Sequence, residues 1–327
     1  MTSNGAGQPA ANDAEHPPAP AAIRVGVLGT GYWARWCHGT ALQAHPGVEL
    51  VGFWGRDSLK AEQAASEVGA KAFSDLAELL ECVDAVSIAL PPAIQAVAVP
   101  RVADAGVHML LDKPLAMDVA SADRAAAAVR KAGVATVSFM TLRFQPAVVE
   151  WLAKMNELST LNGPWAGLSM TWAGAIDEPG SPYADSTWRL ERGGLWDLGP
   201  HALSLIEPLM GEVADIQAMR GTRDETHVLL RHVGGQVSSM NLTLTASPEA
   251  KKAAIEVWGP AGRHSLDLPQ DGLREAYTRA VDTLIRALTS GSEGTLDANY
   301  GRDLVRILDR AQRAADLSST SLTGVRS

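Results

Sequence analysis

The sequence predicts an α/β protein in two parts: a doubly wound sheet of parallel strands, then an α+β domain with a large, mostly antiparallel open sheet. Three observations predict it. Apolar strands alternate with helix-period segments from Ala21 to about Met140, the first strand runs through a glycine-punctuated turn into a helix, and β-rich segments crowd together after residue 145. At about 100–200 residues per domain, a chain of 327 residues suggests two domains. A composition 46% hydrophobic and 20% charged fits an ordinary globular protein. The net charge is −9 and no Lys/Arg run exceeds two residues, which argues against nucleic acid or an anionic membrane as partner. No apolar run reaches the roughly 18 residues of a membrane span. Cys37 and Cys82 are too few for a disulfide framework or a zinc cage, and suit a reducing, cytoplasmic setting.

Residues 1–20 are rich in Ala, Pro, Gly and Asn, lack the basic and apolar regions of a secretory signal, and read as a disordered tail. Strands are expected at 21–29, 48–54, 84–90, 107–112 and 134–139, with helices around 33–44, 58–68, 74–81, 93–105 and 119–132. Apolar strands separated by helices need cover on both faces, so right-handed crossovers give a doubly wound domain over 21–142. From 143 to 327, strands are expected at 165–174, 213–221, 226–233, 236–246 and 252–260. A helix around 196–210 interrupts them. Two more, at 272–290 and 297–316, close the chain, the last expected to pack back on the first domain.

RVGVLGTGYWARW sets Gly29, Gly31 and Ala34 in a G-x-G-x-x-A pattern between strand and helix. The first glycine allows a tight turn, the second lets the backbone approach a pyrophosphate at the helix N-terminus, and Ala34 need only be small. Gly29, Thr30, Gly31, Tyr32 and Trp33 are therefore candidate dinucleotide contacts, and the domain reads as a Rossmann fold. The plain alternative is a structural turn. An NAD site usually has Asp or Glu about 20 residues on, for the ribose 2′-hydroxyl. Here Trp54 and Gly55 stand at that point, then Arg56. With no carboxylate to repel a 2′-phosphate and a guanidinium to pair with one, NADP is favoured over NAD. Asp57 lies late and suits a helix cap, yet keeps NAD open. The same missing acid counts against S-adenosylmethionine. Leu90 and Pro91 end the third strand beside the cofactor's expected path.

VHMLLDKPLAMD ends a buried strand on Asp112, Lys113 and Pro114. Lysine is seldom buried and proline cannot donate to a ladder, so the turn puts a cation at the carboxyl edge of the sheet, where open α/β sheets bind ligands. Asp112 is expected to hold that ammonium; the alternative is a solvated loop lysine. Farther on, RGGLWDLGPHALSL places Asp197 and His201 four residues apart, on one face if helical. A His–Asp pair fixes the imidazole tautomer and raises its basicity, which suits acid–base work near neutral pH. The alternative is a capping Asp beside a structural His. No further His or Cys stands at zinc-ligand spacing, so no metal is expected. Arg143 follows the last strand of the first sheet, either as a ligand contact or in a domain-joining ion pair. SPYADSTWRLERGG (181–194) reads as a loop over the pocket, offering Tyr183, Trp188 and Arg189 for stacking or hydroxyl binding. Trp172 either lines that pocket or belongs to the core.

GTGYWA, DKP and GGLWDLGPH, in this order and spacing from about Ile23 to Thr323, resemble the glucose–fructose oxidoreductase, inositol dehydrogenase and rhizopine-catabolism (Gfo/Idh/MocA) family. The family's usual Glu-Lys-Pro is Asp112-Lys113-Pro114 here. The resemblance implies that Lys113 contacts nicotinamide and substrate, and that Asp197 and His201 are the Asp-x-x-x-His pair of polyol-oxidising members. A histidine often found after the strand-ending proline is Gln95 here, a peripheral cofactor contact. The implied reaction is hydride transfer between nicotinamide and a carbinol or carbonyl carbon of a sugar or polyol. His201 would exchange a proton with the reacting oxygen, while Lys113 stabilises or relays. The implied assembly is a homodimer or homotetramer through the second-domain sheet. Two other readings stand beside this one: a glycoside hydrolase using NAD for transient oxidation and elimination, and a non-catalytic nucleotide sensor.

Overall fold

A computed structural model describes residues 22–323 apart from 292–293. The tail expected over 1–20 lies outside the described residues. In the first half, β1 (Ile23–Leu28), β2 (Val48–Trp54), β3 (Lys71–Phe73), β4 (Ala85–Ile88), β5 (His108–Leu111) and β6 (Thr136–Ser138) make one sheet, ordered β3-β2-β1-β4-β5-β6. All its pairings are parallel. A π-helical turn, Ala34–Gly39, leads into α1 (Thr40–Ala44), and α2 (Ser58–Ser66), α3 (Leu76–Leu80), α4 (Pro92–Asp104) and α5 (Val119–Ala132) join the remaining strands. These elements answer the alternation expected. Strand β3 is additional: three residues at the sheet edge are too few to show a period. The strand order reverses between β1 and β4, so a crevice opens at their carboxyl ends, where doubly wound sheets take ligands.

The chain then forms α6 (Pro146–Asn162), which has no counterpart among the expected elements although it buries Val148, Leu152 and Met155 at helical spacing. The second sheet holds β7 (Gly167–Ala173), β8 (Val213–Arg220), β9 (Thr226–His232), β10 (Val237–Thr243), β11 (Lys252–Gly259) and β12 (Gly262–Asp267), ordered β12-β11-β7-β10-β9-β8. It is mostly antiparallel, but β7 and β10 pair in parallel at its centre. That pairing is possible because α7 (Thr187–Asp197), α8 (Gly199–Met210) and two strands intervene before the chain returns. Strand β12 was not expected; it extends the β11 hairpin past Pro260 and Ala261.

Helices α8 and α10 (Ala298–Thr323) pack against this sheet, while Met219, Leu229 and Val237 stay exposed on it. Helix α10 also touches the first half, with Arg306 2.8 Å from Asp123 on α5. Helix α9 (Leu273–Ser290) leans on the glycine-turn helix, and its Tyr277 hydroxyl lies 2.5 Å from Ser87 Oγ on β4. The two sheets are thus held over the crevice from both sides.

Candidate active site

The glycine turn is shaped by contact as much as by flexibility. Gly29 has φ +130°, and a Cβ there would lie 2.4 Å from the Ala89 carbonyl oxygen, so only glycine fits. Gly31 differs: no heavy atom lies within 4 Å of its Cβ position, which leaves its backbone open to a phosphate. The cleft in front of it is lined by Tyr32, Trp33, Leu90, Pro91, Lys113 and, from across the crevice, Tyr183 and Trp188. Gly55 packs against Thr30, where a Cβ would fall 2.6 Å from the methyl carbon. Arg56 beyond it is exposed, and the Asp57 carboxylate accepts from the Lys60 N–H at 3.2 Å, capping α2. The open backbone at Gly31, the cleft beyond it and the exposed guanidinium fit a dinucleotide.

A second cavity adjoins this cleft and shares Trp33, Asp112, Lys113, Tyr183 and Arg189 with it. Trp172, Asp197 and His201 complete its polar end. The Lys113 Nζ donates to the Asp197 main-chain oxygen at 2.6 Å and to its Oδ1 at 2.8 Å. Arg189 Nε reaches Asp197 Oδ2 at 3.1 Å, and its guanidinium stands 4.5 Å from the ring centres of both Tyr183 and Trp188. Burial alone would raise the Asp197 pKa; the Lys113 and Arg189 charges and the Lys113 hydrogen bond outweigh it and hold the carboxyl below the usual range. His201 lies beside Trp172, ring centres 5.6 Å apart, with its Nδ1 buried and unpartnered. Burial, helped by the Lys113 charge, pulls the His201 pKa well down, so the imidazole is neutral at pH 7.

Four expectations change here. The Lys113 ammonium is held by Asp197, not by Asp112, whose Oδ1 instead accepts the Lys113 backbone N–H at 2.7 Å. Asp197 and His201 line one cavity without a hydrogen bond between them, because both Asp197 oxygens face cations. Gln95 is fully buried and lines neither of these clefts: it donates to the Asp112 carbonyl at 2.7 Å and accepts from the Asp112 N–H at 2.9 Å, so it braces the Asp-Lys-Pro turn. Arg143 is not among the residues lining the cavity and donates to the Ser204 carbonyl of α8 at 2.9 Å. The 181–194 segment carries Tyr183 and Arg189 to both clefts and Trp188 to the glycine-turn cleft, and its second half is helix α7 rather than loop. Sequence reasoning missed Thr141, Leu142, Leu198, Pro269, Gln270 and Leu273 along the cavity wall; no local pattern marks a residue that lines a pocket only through the return of the chain.

Two family models match the chain. "Oxidoreductase family, NAD-binding Rossmann fold" covers residues 23–139, and "GFO/IDH/MocA C-terminal domain" covers residues 168–265. The chain belongs to the Gfo/Idh/MocA oxidoreductase family. It is an NAD(P)-dependent enzyme that moves hydride between nicotinamide and a carbinol or carbonyl carbon. A D-apiose dehydrogenase of Paraburkholderia graminis is 28% identical over 268 residues, 77% of this chain and 69% of the relative. The NADP-dependent scyllo-inositol 2-dehydrogenase IolU of Bacillus subtilis is 26% identical over 258 residues, 75% of this chain and 76% of the relative. In fold the family likeness is broader: a putative myo-inositol dehydrogenase of Sinorhizobium meliloti superposes with TM-score 0.79 at 19% identity, covering 90% of this chain and 97% of that one.

Proposed function

We propose that this enzyme interconverts a secondary alcohol and a ketone on a sugar or polyol, with NADP preferred to NAD. The observation that carries the reading is the Lys113–Asp197 pair, with Lys113 lining both clefts and neutral His201 lining the same cavity as Asp197. Bound nicotinamide supplies the hydride acceptor or donor, and Gly29, Gly31, Leu90 and Pro91 would hold the dinucleotide. An ammonium has three N–H donors, and two of those on Lys113 are engaged by Asp197, so the third is free to meet the reacting oxygen. In the oxidation direction the substrate hydroxyl proton passes to His201, while Lys113 stabilises the negative charge developing on oxygen. In reduction His201, neutral at rest, takes a proton from solvent and passes it to the oxygen as the hydride arrives. Asp197, itself steadied by Arg189, fixes where the lysine points. Trp172, Tyr183 and Trp188 offer faces for the C–H side of a ring. Arg56 would pair with the 2′-phosphate of NADP, in the place where an NAD-selective site carries an acid.

The exposed apolar residues on the second sheet suit a second copy of the chain, giving a dimer or tetramer. Free Cys37 and Cys82 agree with a cytoplasmic setting, and no described helix is long and apolar enough to cross a membrane. The test is tryptophan-fluorescence titration with NADP and NAD, followed by a panel of polyols, sugars and keto-sugars read by nicotinamide absorbance. Turnover of none of them, or cofactor binding to neither dinucleotide, would sink the reading.

A further inference from the structure

We infer that Asp224, which lines neither cleft, is a positioning residue that sets Asp197 and, through it, Lys113. Its carboxylate lies on the turn between β8 and β9 and accepts four hydrogen bonds from two separate segments. Oδ2 takes the Gly194 N–H at 2.9 Å and the Leu244 N–H at 2.7 Å; Oδ1 takes the Thr243 hydroxyl at 2.6 Å and the Thr245 hydroxyl at 2.5 Å. Four donors on one carboxylate bind the start of the GGLWD run to the end of β10 with charge-assisted bonds.

The backbone at this joint leaves no slack. Gly193 has φ 65° inside α7, and a Cβ there would sit 2.8 Å from Asp224 Cβ. A Cβ on Gly194 would sit 2.8 Å from the Thr243 backbone. Three residues later the chain delivers Asp197. What makes this joint matter for chemistry is that Lys113 bonds the main-chain oxygen of Asp197 as well as its side chain. A shift of the Gly194–Asp197 backbone therefore moves the ammonium directly, and no rotation of the Asp197 side chain can compensate. Arg223, at φ 57°, reinforces the turn by bridging to Asp177 at 2.7 Å and the Thr245 carbonyl at 2.8 Å.

The inference rests on the proposed reading for its kinetic arm, so the test has a second arm that needs no turnover. Asp224→Asn keeps the size but sets an amide against backbone N–H donors. It is expected to lower kcat by about 10–100-fold, the effect of a misplacement near 1 Å, with NADP affinity held within about twofold. In a Lys113→Ala background, whose residual rate no longer depends on where the ammonium points, the same change should cost less than about twofold more. Equal losses in both backgrounds, or an unchanged kcat, would overturn the inference. Independently, competitive amine labelling read by mass spectrometry should find Lys113 protected in the parent protein. It should label about fivefold faster in Asp224→Asn, relative to the other lysines; an unchanged rate overturns the inference even if no substrate has been found. Should Asp224→Asn not fold, Thr245→Val removes one of the four bonds, and the same labelling shift, smaller but present, is required of it.

Discussion

Replacing Gln95 by Leu keeps nearly the same volume in a fully buried site but removes both ends of a two-way clamp. The Asp112 N–H and C=O lose partners at 2.9 and 2.7 Å, while the Pro114 and Leu115 carbonyls lose longer contacts at 3.2 and 3.3 Å. A buried backbone group left unsatisfied costs about 1–3 kcal/mol, so two such groups put the expected destabilisation at about 2–6 kcal/mol. Lys113 directly follows Asp112, so relaxation of the turn also displaces the ammonium, at a cost in kcat of up to about 100-fold. Urea unfolding compares midpoints and slopes of the two proteins, and initial rates at saturating NADP give kcat. A shift below about 0.5 kcal/mol with normal kcat would refute the clamp. Normal stability with lowered kcat would show instead that the amide acts on the ligands.

Lys113→Ala is expected to lower kcat by about 10²–10⁴ while leaving NADP binding measurable by fluorescence; near-normal turnover would remove the lysine from the proposed chemistry. Arg56→Ala should weaken NADP by about tenfold or more and leave NAD almost unchanged, so equal losses for both would overturn the cofactor preference. His38, buried under α9 with its Nδ1 2.7 Å from Ser87 Oγ, has its pKa pulled down to about 3 by burial. The unfolded chain takes up this proton below its ordinary value near 6.5 and the folded chain does not, so stability falls as pH falls. The loss attributable to His38 between pH 6.5 and 5 is about 1.6 kcal/mol. His38→Gln should flatten that part of a urea-midpoint profile, and an unaltered slope would count against it.

Much of this protein follows from local pattern. Period and apolarity mark five of the six strands in the first sheet, and the glycine turn and DKP turn stand where covalent neighbours dictate conformation: Gly29 at φ +130° and a lysine pushed out beyond a strand end. Three-residue β3 is too short to have a period. Helix α6 does show one, in Val148, Leu152 and Met155.

Partnership is another matter. Asp197 and His201 are four residues apart and were expected to bond each other, yet Asp197 bonds Lys113, 84 positions away. The Asp112 carboxylate accepts the backbone N–H of Lys113 rather than its ammonium, and Gln95, expected at a cofactor, braces the turn from within the core. Sequence alone determined which residue types stand where each element begins and ends, because backbone sterics and hydrophobic periodicity act over a few residues. Only the tertiary structure decided which charges meet. A carboxylate takes the nearest cations that folding brings to it, and that distance is set by two sheets closing on one crevice.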